Sequence, residues 1–391
     1  MSKKPSREMQ KLMEDMEKKF GKNVLRVASE IKAEMSERIP TGSFKLDLEI
    51  GGGYPVGRFI QVSGGFSTTK STTVYHGIAN AQKMGKKCAL ILSENGSWTD
   101  EYGRQIGIDT DELLINECAS MEEALEITRQ LQERGLAEFI VWDSVEAFEP
   151  MKELDSSMEE SVMMGLKPKM FGEFLRKFQA INNKLSREGR PLCTLIGINQ
   201  LREKIGSYGD PEYETGGRAL GFASSLIVRL RRGEWITVGT GANKRIIGQQ
   251  VKFKISKSKV SVPQRSGDWD IYIDEGGTVP QGHIDNFKSL VIESIVYGVI
   301  QRGGAWFSYE DKFKLQGADN VVAFLRDNPS IFEEIKEKTL ALAIEETVAT
   351  VEELAESGEL DALNEAGEEE IYDDEISETT KKKPTAKRGK K

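Results

Sequence analysis

The sequence predicts an α/β fold with a mainly parallel central sheet, an N-terminal helical segment and a small α+β C-terminal domain. Between residues 40 and 275, short apolar runs typical of strands alternate with amphipathic stretches typical of crossover helices. A shorter mixed unit follows, and an acidic stretch comes after it. The chain is therefore divided into an N-terminal helix and linker (1–39), a core (40–278), a C-terminal domain (279–343) and a tail (344–391).

The N-terminal segment has the periodicity of an amphipathic helix. Charged residues separate apolar residues that recur at helical spacing through residues 6–20, and Gly21 is placed to end the helix. The apolar stripe must be buried either in the chain's own core or on a neighbouring subunit, and the sequence leaves both open. The stripe consists of Met9, Leu12, Met13, Met16 and Phe20.

Six apolar runs in the core are predicted strands. Each is short, rich in aliphatic residues and followed by polar or glycine-containing sequence, as expected for strands that lie inside a sheet. They are Arg58–Val62, Cys88–Ser93, Phe139–Asp143, Cys193–Asn199, Leu226–Leu230 and Val251–Ser256.

Composition argues against several classes of protein. No apolar run is long enough to span a membrane, and no apolar segment follows the basic N-terminus as in a secretory signal, so a cytoplasmic protein without a membrane partner is expected. Three widely separated cysteines and only two histidines argue against a disulfide framework and a structural zinc site.

The net charge of −9 is unevenly distributed. Residues 345–378 contain fifteen carboxylates and no Lys or Arg, whereas residues 381–391 contain seven basic side chains. The rest of the chain is nearly neutral, so the net charge does not exclude a local basic groove for nucleic acid. The acidic tail, poor in aromatic residues, is predicted to be disordered.

The run Gly64–Ser71, called the phosphate loop below, has the setting of a phosphate-binding loop. It follows a predicted strand and begins a predicted helix, so its backbone amides and the helix N-terminus would surround a phosphate. Lys70 would reach the β- and γ-phosphates, and the Ser71 hydroxyl would bind Mg²⁺. The pattern GxxxxGK[ST] has glycine where Thr69 stands, and a Cβ there would clash or need a different backbone angle. Taken alone, the run also fits an ordinary polar loop between a strand and a helix.

Two other predicted strands end in carboxylates at the same edge of the sheet. Asp143 ends one apolar strand and Glu94 follows another, and the carboxyl ends of parallel strands lie along one edge with the phosphate loop. Asp143 is typical of a residue that organises Mg²⁺, and Glu94 of a general base acting on water. Each carboxylate alone is usually a solvated strand end, but the three features in this order favour a nucleotide site.

From about residue 8 to residue 343 the sequence resembles the bacterial RecA recombinases. The resemblance implies a RecA-like P-loop ATPase core that uses ATP and Mg²⁺. It also implies an ATP-dependent recombinase that assembles into helical filaments on single-stranded DNA and exchanges strands with double-stranded DNA. Single-strand-binding and loader proteins are further partners of such an enzyme. The stretches that carry the resemblance, specific as an ordered set, are FGK (20–22), PTGSFKLDLEIGGGYPVGR (40–58), the phosphate loop, the strand before Glu94, IVWDSVEAFEP (140–150), MGLKPKM (164–170), INQLREKIG (198–206), DPEYETGGRALGFASS (210–225), KSK (257–259) and GGAWFSY (303–309).

The resemblance implies a role for each residue of the nucleotide site. Glu94 matches the catalytic glutamate, and Gln200 matches the glutamine that senses the γ-phosphate and couples it to DNA. Lys257 and Lys259 match a pair that reaches the ATP of the next protomer, where such lysines would neutralise transition-state charge. The residues implied to bind nucleotide, with Ser71 and Asp143 as metal ligands and Tyr102 stacked on adenine, are Gly64, Gly65, Phe66, Ser67, Thr68, Thr69, Lys70, Ser71, Thr72, Tyr102 and Asp143.

Two segments match the DNA-binding loops of the family, residues 156–168 and residues 201–218. Basic side chains there would contact phosphates, and glycine amides would approach the DNA backbone. The second segment also fits a flexible polar surface loop. The candidate DNA-binding residues are Lys167, Lys169, Arg202, Lys204, Gly216, Gly217 and Arg218.

The chain departs from the family pattern in the phosphate loop, at Gly65, Phe66 and Thr69. These departures support a second interpretation, a DNA-coating or regulatory protein with weak or no ATP hydrolysis. Glu94 and the two lysines of KSK argue for hydrolysis, because a scaffold has less need of them. A third interpretation, a helicase or other motor ATPase with the same core, is disfavoured by a resemblance that extends over nearly the whole chain.

Overall fold

The computed structural model describes residues 6–27, 37–94, 96–156, 165–203, 212–214 and 218–372. Its first element is helix α1, Arg7–Phe20, where the Ser6 side chain accepts a hydrogen bond from a backbone N–H of the first turn. Gly21, with φ of 95°, ends the helix as predicted. Met9, Leu12 and Phe20 are each more than half exposed, so the apolar stripe of α1 is not buried against the described residues of its own chain.

A mixed sheet of ten strands forms the centre of the described chain. Its strands lie in the order β12-β11-β10-β9-β3-β7-β6-β4-β5, with β8 antiparallel to β7. The five pairs from β9 to β5 are parallel, as predicted, whereas the pairs from β12 to β9 are antiparallel. The strands are β3 (Phe59–Gly64), β4 (Cys88–Leu92), β5 (Leu113–Glu117), β6 (Phe139–Asp143), β7 (Thr194–Glu203), β8 (Glu212–Glu214), β9 (Leu226–Val238), β10 (Arg245–Ser258), β11 (Ser266–Tyr272) and β12 (Ile284–Asp285), with a separate pair of β1 (Arg38–Ile39) and β2 (Tyr54–Pro55).

Helices cover both faces of the sheet. One face packs its aliphatic side chains against α3, and the other buries Trp142 among the aromatic rings of α7. The Trp142 indole N–H donates to Thr128 of α5 at 2.8 Å, so the largest buried ring also has a polar partner. The helices of this region are α2 (Phe44–Glu49), α3 (Lys70–Lys83), α4 (Asp100–Ile106), α5 (Met121–Arg134), α6 (Met151–Leu154), α7 (Leu166–Arg187) and α8 (Arg218–Ala223), with a 3-10 turn at Gly241–Asn243.

The C-terminal unit is built around a three-stranded antiparallel sheet. Phe44 and Leu48 of α2 belong to its hydrophobic cluster, so this unit shares side chains with the beginning of the core (40–278). Its elements are α9 (Phe287–Val296), β13 (Gln301–Gly303), β14 (Trp306–Tyr309), β15 (Phe313–Gln316), α10 (Ala318–Asp327), α11 (Pro329–Ser357) and α12 (Glu359–Tyr372). The division of the chain into four parts stays a prediction.

The structure differs from the expectation of a disordered tail over residues 344–372, whereas residues 373–391 lie outside the described residues. Helices α11 and α12 extend through residues 344–372. Ala343 and Thr347 are buried and lie four residues apart, so one face of α11 packs inward while its carboxylates between residues 345 and 356 are exposed. The acidic composition of this segment therefore led to a prediction of disorder, although its buried residues recur at helical spacing. No helix in the described part of the chain is both long and apolar enough to cross a membrane.

Candidate nucleotide-binding site

The phosphate loop, Asp143 and Gln200 meet at the carboxyl edge of the parallel strands. Gly64, the last residue of β3, pairs with Gln200 on β7, and Asp143 at the end of β6 pairs with Leu92 on β4. The phosphate loop leaves this edge and leads directly into α3. The register of four neighbouring strands thus brings together the phosphate loop, Asp143 and Gln200, which are distant from one another in the sequence.

A cavity of about 490 Å³ opens at this edge. The predicted loop residues from Phe66 to Thr72 all line it, together with Glu94, Asp143 and Gln200. Phe66 is 80% exposed, so its ring lies at the mouth of the cavity and not in the core. The other lining residues are Ser97, Ser144, Ile198, Trp235, Gln249 and Ile273.

The phosphate loop holds two residues other than glycine in the left-handed backbone region. Ser67 has a φ of 56° and Thr69 a φ of 58°. For a residue with a side chain, this conformation costs roughly 1–2 kcal/mol. Thr69 therefore adopts the left-handed angle that glycine takes readily, and the loop closes without a glycine at this position. At Gly64 the requirement is spatial, because a Cβ there would lie 2.5 Å from the Leu230 carbonyl oxygen.

The Lys70 side chain is turned toward the loop itself. Its Nζ donates to the Gly65 carbonyl oxygen at 2.7 Å. Burial lowers the pKa of Lys70, although the nearby Asp143 carboxylate acts in the opposite direction. A partly desolvated ammonium held by one carbonyl is well suited to move onto a phosphate, which is a stronger acceptor.

Asp143 is a half-buried carboxylate surrounded by hydroxyl groups. Its Oδ2 accepts from the Tyr75 hydroxyl at 2.8 Å, and it also has a hydrogen bond with Ser71. Burial raises the pKa of Asp143 in spite of these hydrogen bonds. The adjacent Ser144 Oγ is buried and has no hydrogen-bond partner among the described residues. These oxygen atoms fit a hard divalent cation such as Mg²⁺.

Glu94 lines the cavity, whereas Tyr102 contacts the first turn of α3. Glu94 is exposed at the wall of the cavity, and its backbone carbonyl accepts from the Ser97 hydroxyl at 2.8 Å. The Tyr102 hydroxyl lies 2.5 Å from the Thr72 hydroxyl of α3, and burial raises the pKa of Tyr102. The aromatic residue predicted to stack on adenine is thus held next to the first turn of the phosphate-loop helix.

Lys257 lies far from the cavity of its own chain. It pairs with Ile227 on β9, which pairs with Gln61 of β3, three residues before Gly64. At about 3.3 Å per residue, this places Lys257 roughly 10 Å along the strands from the phosphate loop. It is 4% exposed, and its Nζ donates to the Gly221 carbonyl oxygen of α8 at 3.0 Å.

Lys259 lies just beyond the end of β10 and is exposed. Its backbone N–H donates to the Ser225 carbonyl oxygen at 2.8 Å, which fixes the strand end. Neither this lysine nor Lys257 lines the cavity within the described chain. The structure therefore does not bring the pair together with the phosphate loop inside one protomer.

The described DNA-binding candidates are only partly available for a ligand. Lys167 donates to the Glu149 carboxylate at 2.8 Å and to the Glu146 carbonyl oxygen at 2.9 Å, whereas Lys169 is exposed on α7. Arg202 belongs to β7, and Arg218 begins α8. Lys204, Gly216 and Gly217 lie outside the described residues, as does most of the first loop.

Sequence reasoning missed the residues that reach the cavity from the antiparallel side of the sheet. Gln249 on β10, Trp235 on β9 and Ile273 after β11 line it. Gln249 is 2% exposed and donates from Nε2 to the Ser67 carbonyl oxygen at 3.0 Å. These residues belong to no local motif, because strand pairing and not spacing brings them to the site.

Comparison with known proteins gives the same family along most of the chain. The RecA N-terminal domain matches residues 7–278, and the RecA C-terminal domain matches residues 293–343. The chain is 38% identical over 330 residues to Protein RecA of a Nocardioides species, which covers 83% of this chain and 88% of the relative. It is also 38% identical over 340 residues to Protein RecA of Mycolicibacterium smegmatis, which covers 85% of this chain and 91% of the relative. By domain content and by identity over these lengths, the chain belongs to the RecA family.

Proposed function

We propose that this protein is an ATP-dependent recombinase that polymerises on single-stranded DNA and catalyses homologous pairing and strand exchange. One observation carries the proposal most directly. In a chain with both RecA domains, the phosphate loop, Asp143 and Glu94 line a single cavity at the carboxyl edge of the sheet. A P-loop ATPase needs this combination of a phosphate cradle, a metal-organising carboxylate and a base.

Four residues of the cavity have tasks in the proposed reaction. Ser71 and Asp143 would hold Mg²⁺, which when bound neutralises charge on the phosphates. Lys70 would leave the Gly65 carbonyl and bind the phosphate oxygens. Glu94 would accept a proton from the water that attacks the γ-phosphorus, as the bond to ADP breaks.

Assembly of protomers would complete the site. Lys257 and Lys259 lie at the edge of the sheet opposite the cavity of their own chain, so they would supply positive charge to the nucleotide of an adjacent protomer. The exposed apolar stripe of α1 would be buried on a neighbour.

DNA would contact the segment around residues 201–218, while Lys167 would first have to exchange its partner Glu149 for a phosphate. Single-strand-binding and loader proteins would act on the same filament.

The proposal is tested by measuring ATP hydrolysis with and without single-stranded DNA, and strand exchange between a circular single strand and a linear duplex. Hydrolysis stimulated by DNA, together with joint-molecule formation, is the expected result. The Glu94→Gln variant is the matched control, because it keeps the shape of the side chain but cannot accept the proton. Strand exchange that is absent in the wild-type protein at millimolar ATP would contradict the proposal.

A second function is favoured by the strain at Ser67 and Thr69. If the strained loop binds ATP without turning it over, the protein would coat DNA and not exchange strands. The same assays separate the two functions. Stable, ATP-dependent DNA binding without measurable hydrolysis would support the second function.

A further inference from the structure

We infer that Gln249 is a positioning residue for the phosphate loop, and that it compensates for the strain of a loop that lacks its second glycine. The inference rests on the proposed ATP site. It concerns a residue on β10 that is more than 170 residues away from the loop in the sequence.

The loop is held in its conformation from two directions. From within, the Thr68 hydroxyl and Lys70 both donate to the Gly65 carbonyl oxygen, at 3.0 and 2.7 Å. From outside, Gln249 Nε2 donates to the Ser67 carbonyl oxygen at 3.0 Å. When Lys70 binds a phosphate it must leave Gly65, whereas the contact from Gln249 can persist in the nucleotide-bound loop.

The contact fixes the loop at the residue where the backbone is strained. Ser67 has a φ of 56°, and Thr69 two residues later has a φ of 58°. In a trans peptide the C=O and the next N–H point in opposite directions, so fixing the Ser67 carbonyl also fixes the direction of the Thr68 N–H. Backbone N–H groups of this kind are what a phosphate loop offers to its ligand.

The structure of β10 is adapted to aim this side chain. Its pairing with β9 shifts register on both sides of Gln249, between Ile246 and Gly248 and again between Gln249 and Val251. Bulges of this kind re-aim side chains and are frequent next to active sites. Gln249 itself is paired with Trp235 on β9 and Ile271 on β11 and is 2% exposed, so its amide is held by a rigid part of the sheet.

The test compares nucleotide binding by Gln249→Leu with that of wild type, in the full-length protein, with mant-ATP and Mg²⁺ as the probe. Leucine fills similar space but cannot donate a hydrogen bond to the Ser67 carbonyl. Loss of one buried hydrogen bond should weaken binding by about five- to thirty-fold. Gln250→Leu is the matched control, because this neighbouring amide points to Asp268 on β11 and should leave binding within about twofold of wild type.

A second pair of variants distinguishes positioning from a merely structural role. In a Ser67→Gly, Thr69→Gly loop the left-handed angles carry no side-chain penalty, so the loop should depend less on its external support. Gln249→Leu should therefore weaken mant-ATP binding by less than about threefold in this background. Thermal melting shows whether each variant is folded.

The outcomes separate this inference from the proposed function. If wild type binds no mant-ATP, the proposed function fails. If wild type binds mant-ATP and Gln249→Leu binds it equally well, Gln249 does not position the loop. An equal loss of affinity in the strained and the glycine loops would also overturn the inference, because Gln249 would then act independently of loop strain.

Discussion

Replacing Gly367 by alanine should detach α12 from the sheet. Gly367 packs so closely on β10 that a Cβ would lie 1.7 Å from the Ser256 carbonyl oxygen. A carbon–oxygen contact in proteins is normally about 3.3–3.6 Å, so the helix would have to retreat by roughly 2 Å. The strand at this point carries Lys257, and the helix lies outside the part of the chain that matches the two RecA domains.

The magnitude follows from the contacts that a retreat would break. The Asn364 side chain accepts from the Ser258 N–H at 2.8 Å and donates to the Ser258 carbonyl oxygen at 3.0 Å. At about 1 kcal/mol for each hydrogen bond, with a further contribution from packing, undocking should cost about 2–3 kcal/mol. Alanine in place of glycine normally favours a helix by about 1 kcal/mol, so a destabilising result would be opposite in sign to the effect of helix propensity.

Amide hydrogen exchange at Ser258 measures the undocking of α12 from β10 directly, because the Ser258 N–H donates a hydrogen bond to the Asn364 side chain. We expect exchange to accelerate by roughly 30- to 150-fold in Gly367→Ala, and in the same direction in Asn364→Ala, which removes the hydrogen bonds without a clash. Glu365→Ala, at an exposed position of the same helix, is the control and should exchange like wild type. Unchanged protection of Ser258 in Gly367→Ala would refute the close packing of α12 on β10.

Three further predictions concern turnover, assembly and pH. Glu94→Gln should lower ATP turnover by roughly 10²-fold or more while ATP-dependent DNA binding persists, and unchanged hydrolysis would remove Glu94 from the mechanism. Deleting residues 1–24 should give a monomer that forms no filaments in negative-stain microscopy, since the exposed stripe of α1 is then absent; filaments that survive the deletion would contradict its docking role. Burial lowers the pKa of His76 to about 4, below its unfolded value of about 6.5, so its contribution to stability is present above pH 6.5 and is lost as the pH falls toward 4. Between pH 7 and pH 4.5, the free energy of unfolding of His76→Gln, measured by urea denaturation, should therefore fall by about 2–3 kcal/mol less than that of wild type. Asp47, whose pKa burial raises to about 7, acts with the opposite sign but is present in both proteins and cancels in the difference. Equal losses in the two proteins would contradict the assignment to His76.

Five of the six parallel strands were predictable from the sequence because burial on both faces makes them short, continuous apolar runs. The edge strand β5 was not predicted, since most of its residues are exposed or half-buried and form no such run. Phe139–Asp143 was predicted with both of its ends, and α1 with its glycine cap. The strand ends also fixed which carboxylates would lie beside the phosphate loop. In a parallel sheet the residues that end the strands all lie along one edge, so local sequence patterns were sufficient to predict which residues lie there.

The antiparallel side of the sheet was not predictable in the same way. The strands β9 and β10 extend well beyond the apolar runs Leu226–Leu230 and Val251–Ser256 that indicated them. Their outer parts alternate polar and apolar residues and carry bulges, so no continuous apolar run shows where they end. Gln249 was missed for this reason, because a glutamine in such a segment has the composition of a surface residue. Only the register of β10 shows that it is buried at the phosphate loop.

The phosphate loop shows why a mismatch with a sequence motif does not by itself remove a site. The motif has glycine at this position because the backbone there is in the left-handed conformation. Thr69 adopts the same conformation at a cost of roughly 1–2 kcal/mol. Part of this cost is offset locally, since the Thr69 hydroxyl donates to the Thr68 carbonyl oxygen at 2.7 Å, a bond that glycine cannot make. The Thr69 carbonyl also accepts from the Thr73 N–H at 2.9 Å and so begins α3. What the site requires is a backbone conformation, and the rest of the fold can hold a residue in that conformation when the residue itself does not prefer it.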